Sequence, residues 1–327
     1  MATIDVSAGV DEAPAHVSSG KSRNNRPRSG GNLWRAIRSN GKATAGLIIL
    51  GVFVVLAIIP QWIAPGDPGA EIYGRMEGPS GAHLLGTTAY GQDIMSEVIW
   101  GARPALLIAI IAGLFATVLS VLIGVTGAYL GGIADDLLNL LTDVFLVIPT
   151  LPLVIVIAAY ASSHSLSVLI VVLVITGWSY GARQLRSQAL SLRNRDFLQA
   201  AKVRGEKRSY IIVFELLPTM TSLIVANFLG AALYSILTAA GLEFLGLGNT
   251  ASVDWGTMLY WAQNNEALQT GYYLQAIVPG AAIGLLGAAF ALLNYAFDEI
   301  GNPALRPVRA RGTRRRGAAK RIRRLAL

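Results

Sequence analysis

Six runs of this chain are apolar over a length close to that needed to cross a membrane, and this leaves few folds open. A helix needs roughly 20 mainly apolar residues to pass through the hydrocarbon layer. The runs fall at about 44–64, 105–130, 136–160, 166–182, 219–240 and 273–297. No water is available at that depth to satisfy backbone N–H and C=O groups, so such runs must close their hydrogen bonds internally as helices. The pattern predicts an all-α integral membrane protein with six transmembrane helices. Charged residues agree with this, at 14% of the 327 residues, where a soluble domain carries about 25%. The residues GGIADD between the second and third runs suit a tight hairpin between antiparallel spans. A loop of about 40 residues separates the first two runs, and a shorter polar loop with Asp254, Trp255 and Glu266 separates the last two.

The basic residues predict orientation. Of 27 Lys and Arg, seven lie between Lys21 and Lys42, eight between Arg183 and Arg208, and ten between Arg306 and Arg324. Lys and Arg mark cytoplasmic loops, so both termini and the 183–215 segment are expected on the cytoplasmic side. Residues 1–40, rich in Ser, Gly, Asn and Arg without helical or strand period, read as a disordered basic tail, and 306–327 as a second basic tail. These tails fit contact with anionic lipid headgroups rather than nucleic acid, since no groove-reading helix or aromatic stacking platform accompanies them.

Several chemistries are excluded. The chain has no Cys, so it holds no disulfide or thiolate site. It lacks the GxxxxGK[ST] phosphate cradle of an ATPase, the HExxH spacing of a zinc enzyme and the GxSxG turn of a hydrolase. His16, His83 and His164 are scattered. The residues read as a non-enzyme that binds no cofactor of its own.

The stretch DFLQAAKVRGEKRSYIIVFELLP, residues 196–218, interrupts the apolar runs with charge. Asp196 followed by Gln199 has the spacing of a capping box, and Gly205 offers a left-handed exit, which predicts a helix over about 197–204. Two turns fall short of the 12 to 15 residues that an isolated helix needs in water, so this one must dock. Pro218 suits the first turn of the next span, where its missing N–H costs nothing.

QAAKVRG followed by LLP resembles the EAA loop of ATP-binding-cassette importer permeases. Ala200, Ala201 and Gly205 match that loop and Pro218 falls at its usual distance, while Gln199 replaces the usual Glu and Glu215 stands where many relatives have His. HLLGTTAYGQDIMSEVIWGARPAL, residues 83–106, resembles the signature of the dipeptide and oligopeptide permease subfamily, departing from it at Thr88 and Gln92. LEFLGLGNTASVDWGTML, residues 242–259, resembles the LSFLGLG and SWG elements of the same subfamily, with Glu243 where Ser is usual. WSYGARQLRSQALSLRNRDFLQAA, residues 178–201, is similar to the run that leads into the EAA loop, with Arg183 and Arg186 in place.

The resemblance implies a type I importer permease fold and a C-type subunit in a bacterial inner membrane, paired with a homologous B-type permease subunit. It further implies one or two cytoplasmic ATP-binding subunits, which hold ATP and magnesium, and an extracytoplasmic substrate-binding lipoprotein. Gln199, Ala200, Ala201, Arg204, Gly205, Glu215 and Pro218 would form the loop that couples to the ATPase. The cargo would be di- or oligopeptides, with nickel or glutathione as alternatives within the family. A secondary transporter is the rival from another class, and it would need ion-coupling carboxylates at the midplane.

Ionisable residues within spans require reasons. Asp143, near one end of the third span, fits a hydrogen bond between packed helices or a place on the substrate path. Glu243, late in the fifth, is a candidate contact for the cationic amino end of a peptide. The pairs Gly127/Gly131 and Gly280/Gly284 permit close helix packing. Pro149, Pro152 and Pro279 predict kinks.

Overall fold

The computed structural model describes residues 40–161 and 165–301, so residues 1–39 of the expected first tail, the whole of the second, and His16 and His164 lie outside the described residues, while Asn40 caps the first helix. Among the described residues the architecture is all-α, with one isolated bridge between Thr87 and Asp93 and no strand. Helix α1 spans Gly41–Ile58 and is followed, after Ile59, by the single turn α2, Pro60–Ile63. Helix α3 spans Ile94–Ser120 and runs on through a π-turn, Val121–Val125, and a last turn, Thr126–Leu130. Then come α4 (Gly132–Val147), α5 (Thr150–Tyr160), α6 (Leu166–Gly177), α7 (Ser179–Leu192) and α8 (Asp196–Val203). A short return, α9 (Arg208–Tyr210), continues as a π-turn over Ile211–Leu216 and a turn at Leu217–Thr219. Helices α10 (Thr221–Phe244), α11 (Trp255–Asn264) and α12 (Leu274–Gly301) complete the described residues.

Among the described residues four helices are long and apolar enough to cross a membrane alone, and two bent pairs, if each is one span, raise the number to six. The expected third span, 136–160, is one of these pairs: α4 and α5 meet at 87° rather than forming a continuous rod. The cause is local. Proline disfavours helical backbone in the residue before it, and Ile148 accordingly turns extended, at φ −69° and ψ 127°, ahead of Pro149. Pro152 falls in the first turn of α5, where no N–H is missed, and produces no break. Pro279 lies within α12, which continues through it. The expected fourth span extends beyond 182, since α6 and α7 join at 41° and α7 reaches Leu192.

The second span begins earlier than its apolar run. Asp93 caps α3 by accepting from the Ser96 backbone N–H at 2.8 Å, so much of the 83–106 motif is the start of a helix rather than a loop. The polar stretch before α12 holds α11, started by a capping box between Asp254 and Thr257. Trp255 is buried in the core, where it meets Phe53 edge-on at 5.3 Å and donates from Nε1 to the Val98 carbonyl at 2.9 Å.

Small residues set the helix spacing. A Cβ on Gly113 of α3 would stand 3.0 Å from the Ala232 backbone of α10, and one on Gly46 of α1 would stand 3.0 Å from the Ala289 carbonyl of α12. Around these contacts Ala102, Leu106, Leu229, Ile236, Leu286 and Phe290 form the main core. On the other side of α1, Ile48, Val52, Val55 and Ile58 stand exposed, as suits a face turned to lipid. Gly127 packs against Leu138 across the expected hairpin, with Gly131 and Gly132 at positive φ, but Gly280 and Gly284 meet nothing within 4 Å in this chain. The expectation of close packing at that second pair is therefore not met among the described residues.

Gly124, in the π-turn of α3, lies against the backbone of α7: a Cβ there would be 3.0 Å from the carbonyl carbon of Ala182. Backbone yields less readily than a side-chain tip, and overpacking of this kind costs about 1–3 kcal/mol. Gly124→Ala is therefore expected to lower the thermal unfolding midpoint of the purified protein. An unchanged midpoint would show that the contact is not tight.

Candidate functional site

The segment that interrupts the membrane helices is a docked eight-residue helix. Helix α8 begins at Asp196 with Arg195 in the N-cap position, so the expected capping box does not form. Asp196 already lies inside the helix, where its charge still favours the positive end of the helix dipole. Gln199 instead donates from Nε2 to the Arg193 carbonyl at 3.4 Å. The exit is as expected. Gly205 takes φ +78°, Glu206 N–H reaches the Ala201 carbonyl at 3.3 Å and Gly205 N–H the Lys202 carbonyl at 3.0 Å, which together make a Schellman ending.

The docking surface belongs to the chain itself. Leu198 and Ala201 are fully buried against Val125, Ala128 and Tyr129 at the end of α3, Leu185 and Ala189 of α7, and Ile211, Leu216 and Met220 of the return. Lys202 lies over the Tyr129 ring, with Nζ 5.5 Å from its centroid. The opposite face carries Phe197, Ala200 and Val203, spaced one turn apart and exposed, Val203 to 88%. Among the described residues nothing covers this stripe.

Arg204 ties the exit to the return, donating to Glu206 at 2.8 Å and to Glu215 at 3.4 Å. With Arg204 about half exposed, these pairs add little stability and act chiefly to set position. The structure thus brings Arg204, Gly205 and Glu215 together at one end of α8. Pro218 lies in the turn that precedes Met220, whose φ of −102° and ψ of 4° separate it from α10; the membrane helix begins at Thr221.

Charged anchors hold this assembly to the spans. Arg186 makes two bonds to Asp135, at 2.8 and 3.0 Å, joining α7 to the start of α4. Arg193 donates to the Ala128 carbonyl at 3.3 Å. Asp143 of α4 pairs with Arg183 of α7 and accepts from Asn139 at 3.0 Å, so it is a partnered helix-packing group. Asp135 was missed in the sequence; the signal was an acidic pair in the GGIADD turn facing the arginines of 183–193.

Glu243 is placed elsewhere, near the end of α10 remote from α8. It is 6% exposed, packed against Gly248 and Gly256 and beside Asp254. The cavity at its side measures about 20 Å³, room for a water molecule. Glu243 and Asp143 therefore do not share a site. Among the described residues no group of three His, Cys, Asp or Glu could hold a metal.

Comparison with known proteins adds relatives to this geometry. The family described as binding-protein-dependent transport system inner membrane component matches residues 116–306, and the N-terminal TM domain of oligopeptide transport permease C matches residues 30–79. The chain is 30% identical to a dipeptide transport system permease protein of Bacillus subtilis, over 84% of this chain and 86% of that one. It is 32% identical to a glutathione transport system permease protein of Pectobacterium atrosepticum, over 84% and 91%. An oligopeptide transport system permease protein of Mycobacterium bovis is 26% identical, over 86% and 96%.

Leu198 is the main apolar anchor of a helix too short to persist alone. Leu198→Ala removes a buried side chain at a cost of about 2–5 kcal/mol. The expected result is faster amide hydrogen exchange across 196–203 with the spans still protected. Unchanged exchange there would show that other contacts hold α8.

Proposed function

The chain belongs to the binding-protein-dependent transport system inner membrane component family, and from that premise we propose that it is the C-type membrane subunit of an ATP-driven importer of short peptides. The observation that carries the mechanism is the two-sided α8, with Leu198 and Ala201 buried in the chain's own spans and Phe197, Ala200 and Val203 presented outward. A cytoplasmic ATP-binding subunit seats on the outward face. ATP and magnesium stay with that subunit, since this chain has no phosphate cradle. Both termini and α8 lie on the cytoplasmic side, as the Lys and Arg clusters favour.

Force entering at α8 reaches the membrane through three connections: the α8 contact with the end of α3, the Arg186–Asp135 pair, and the return that leads into α10. ATP binding shifts the inward and outward populations by the difference in how well the ATPase grips α8 in the two states. A homologous B-type permease supplies the other half of the path, and an extracytoplasmic binding lipoprotein delivers cargo. Peptide cargo is favoured because relatives named for dipeptides, D,D-dipeptides, oligopeptides and glutathione all align along most of the chain. A secondary transporter is disfavoured by the family, whose description names a binding-protein-dependent system.

Val203→Asp places a charge at the C-terminal end of the outward face without touching the docked one, and Gly205→Glu adds a side chain at a positive-φ position that has open space around it. Both variants are expected to insert in the membrane while losing co-purification with the ATPase subunits. ATP-dependent dialanine uptake should fall at least tenfold, corresponding to about 1.4 kcal/mol or more of lost grip. Full uptake by Val203→Asp would overturn the assignment of α8.

A further inference from the structure

At the end of α3 remote from α8, a cavity of about 410 Å³ opens between the 66–92 loop, the turn after α10 and the starts of α11 and α12. It is lined by Glu97, Gln275, Tyr90, Trp261 and Glu71 among others, and among the described residues no Lys, Arg or His lines it. Glu97 is only 7% exposed, yet among the described residues its carboxylate has no hydrogen bond and no ion pair. The charged groups that act on it, Asp93 and Asp254, are both acidic. Asp93 already accepts from the Ser96 N–H and hydroxyl and faces His83, and Asp254 already accepts from Thr257 and Ser252. The start of α3 favours negative charge at Glu97 but gives its carboxylate no donor.

A second group points the same way. Gln275, at the start of α12, is 2% exposed, and its Oε1 has no hydrogen-bond partner. One buried acceptor without a donor, Gln275 Oε1, and a carboxylate without a donor, Glu97, line the same cavity and describe a site for a donor that arrives from outside. The donor is cationic, because the wall that the described residues form is acidic and free of bases. It is not a divalent metal, since no group of three carboxylate or imidazole ligands converges here. A primary ammonium fits: it carries three N–H donors, and the Tyr90 and Trp261 rings, edge to face at 5.4 Å, add aromatic surface that attracts cations.

We propose that this cavity binds the free amino end of a short peptide, with Glu97 taking its charge and Gln275 Oε1 accepting a second N–H. The peptide identity rests on the importer reading above. The cavity volume lies within the range of small-molecule sites, about 300–1,000 Å³.

The test uses the assembled importer, with its partner permease and ATPase subunits but without the binding lipoprotein, in lipid nanodiscs and titrated calorimetrically with dialanine. Dialanine is expected to bind, N-acetyl-dialanine to bind at least tenfold more weakly, and Glu97→Gln to lower dialanine affinity at least tenfold. Wild-type affinity in Glu97→Gln, or equal binding of the acetylated peptide, would overturn the proposal. If Glu97→Gln does not assemble, Gln275→Leu decides, with wild-type affinity again overturning it. Displacement of dialanine by ethylammonium at equal affinity would overturn the peptide assignment. ATP-dependent dialanine uptake with the lipoprotein restored separates the two readings: intact uptake without direct binding sinks only this site, whereas absent uptake sinks the importer reading.

Discussion

A backbone inside hydrocarbon must find all of its hydrogen-bond partners within the protein, and the described fold is arranged around that demand. Continuous helices meet it by themselves. Where the spans break, other residues brace the break. At the α6–α7 junction the Trp178 carbonyl accepts from the Ala182 N–H at 2.9 Å and also from the Ser120 hydroxyl of α3 at 2.7 Å, which ties the break to a neighbouring span. The hydroxyl reaches that carbonyl because glycine on both sides lets the helices touch: Gly124 lies against the Ala182 backbone, and Gly181 against Ser120 and the Asn227 amide. The glycines and the hydroxyl act as one unit, since a side chain at either glycine would push the donor away from the carbonyl it serves.

Helix α3 and its continuation, 37 residues from Ile94 to Leu130 and roughly 55 Å long at 1.5 Å per residue, link the two ends of the molecule. One end carries Glu97 and the unpaired cavity. The other carries Ala128 and Tyr129, on which α8 rests. The same helix contacts α10 through Gly113 and α7 through Gly124. A displacement at either end is thus shared with the helices that form the core, because tightly packed interiors pass on strain rather than absorb it.

Much of this was legible in sequence because apolar length, proline and glycine act locally. The six runs, the left-handed Gly205 and the need of α8 to dock all follow from such local rules. What was not legible depended on partners far along the chain. Residues 94–104 carry charge and polar groups and read as loop, yet they form helix because Asp93 caps them and Trp255, some 150 residues later, covers Gly101. The spacing of Asp196 and Gln199 pointed to a capping box, but the helix starts one residue earlier, with Arg195 at the N-cap and Leu198 buried among residues from α3, α7 and the return, which no local pattern gives. The cavity at Glu97 could not be foreseen either, since Gln275 and Trp261 come from opposite sides of a loop that the sequence leaves unplaced.

The brevity of α8 has one more consequence. Eight residues cannot hold a helix without the pocket made by α3, α7 and the return, and that pocket exists only once those elements have met. The outward stripe of Phe197, Ala200 and Val203 is therefore a report on the state of the membrane portion. A half-inserted or misassembled chain does not display it. Any cytoplasmic subunit that recognises this stripe as a formed helix would select finished membrane subunits over unfinished ones, so that the proposed coupling helix would also inspect assembly.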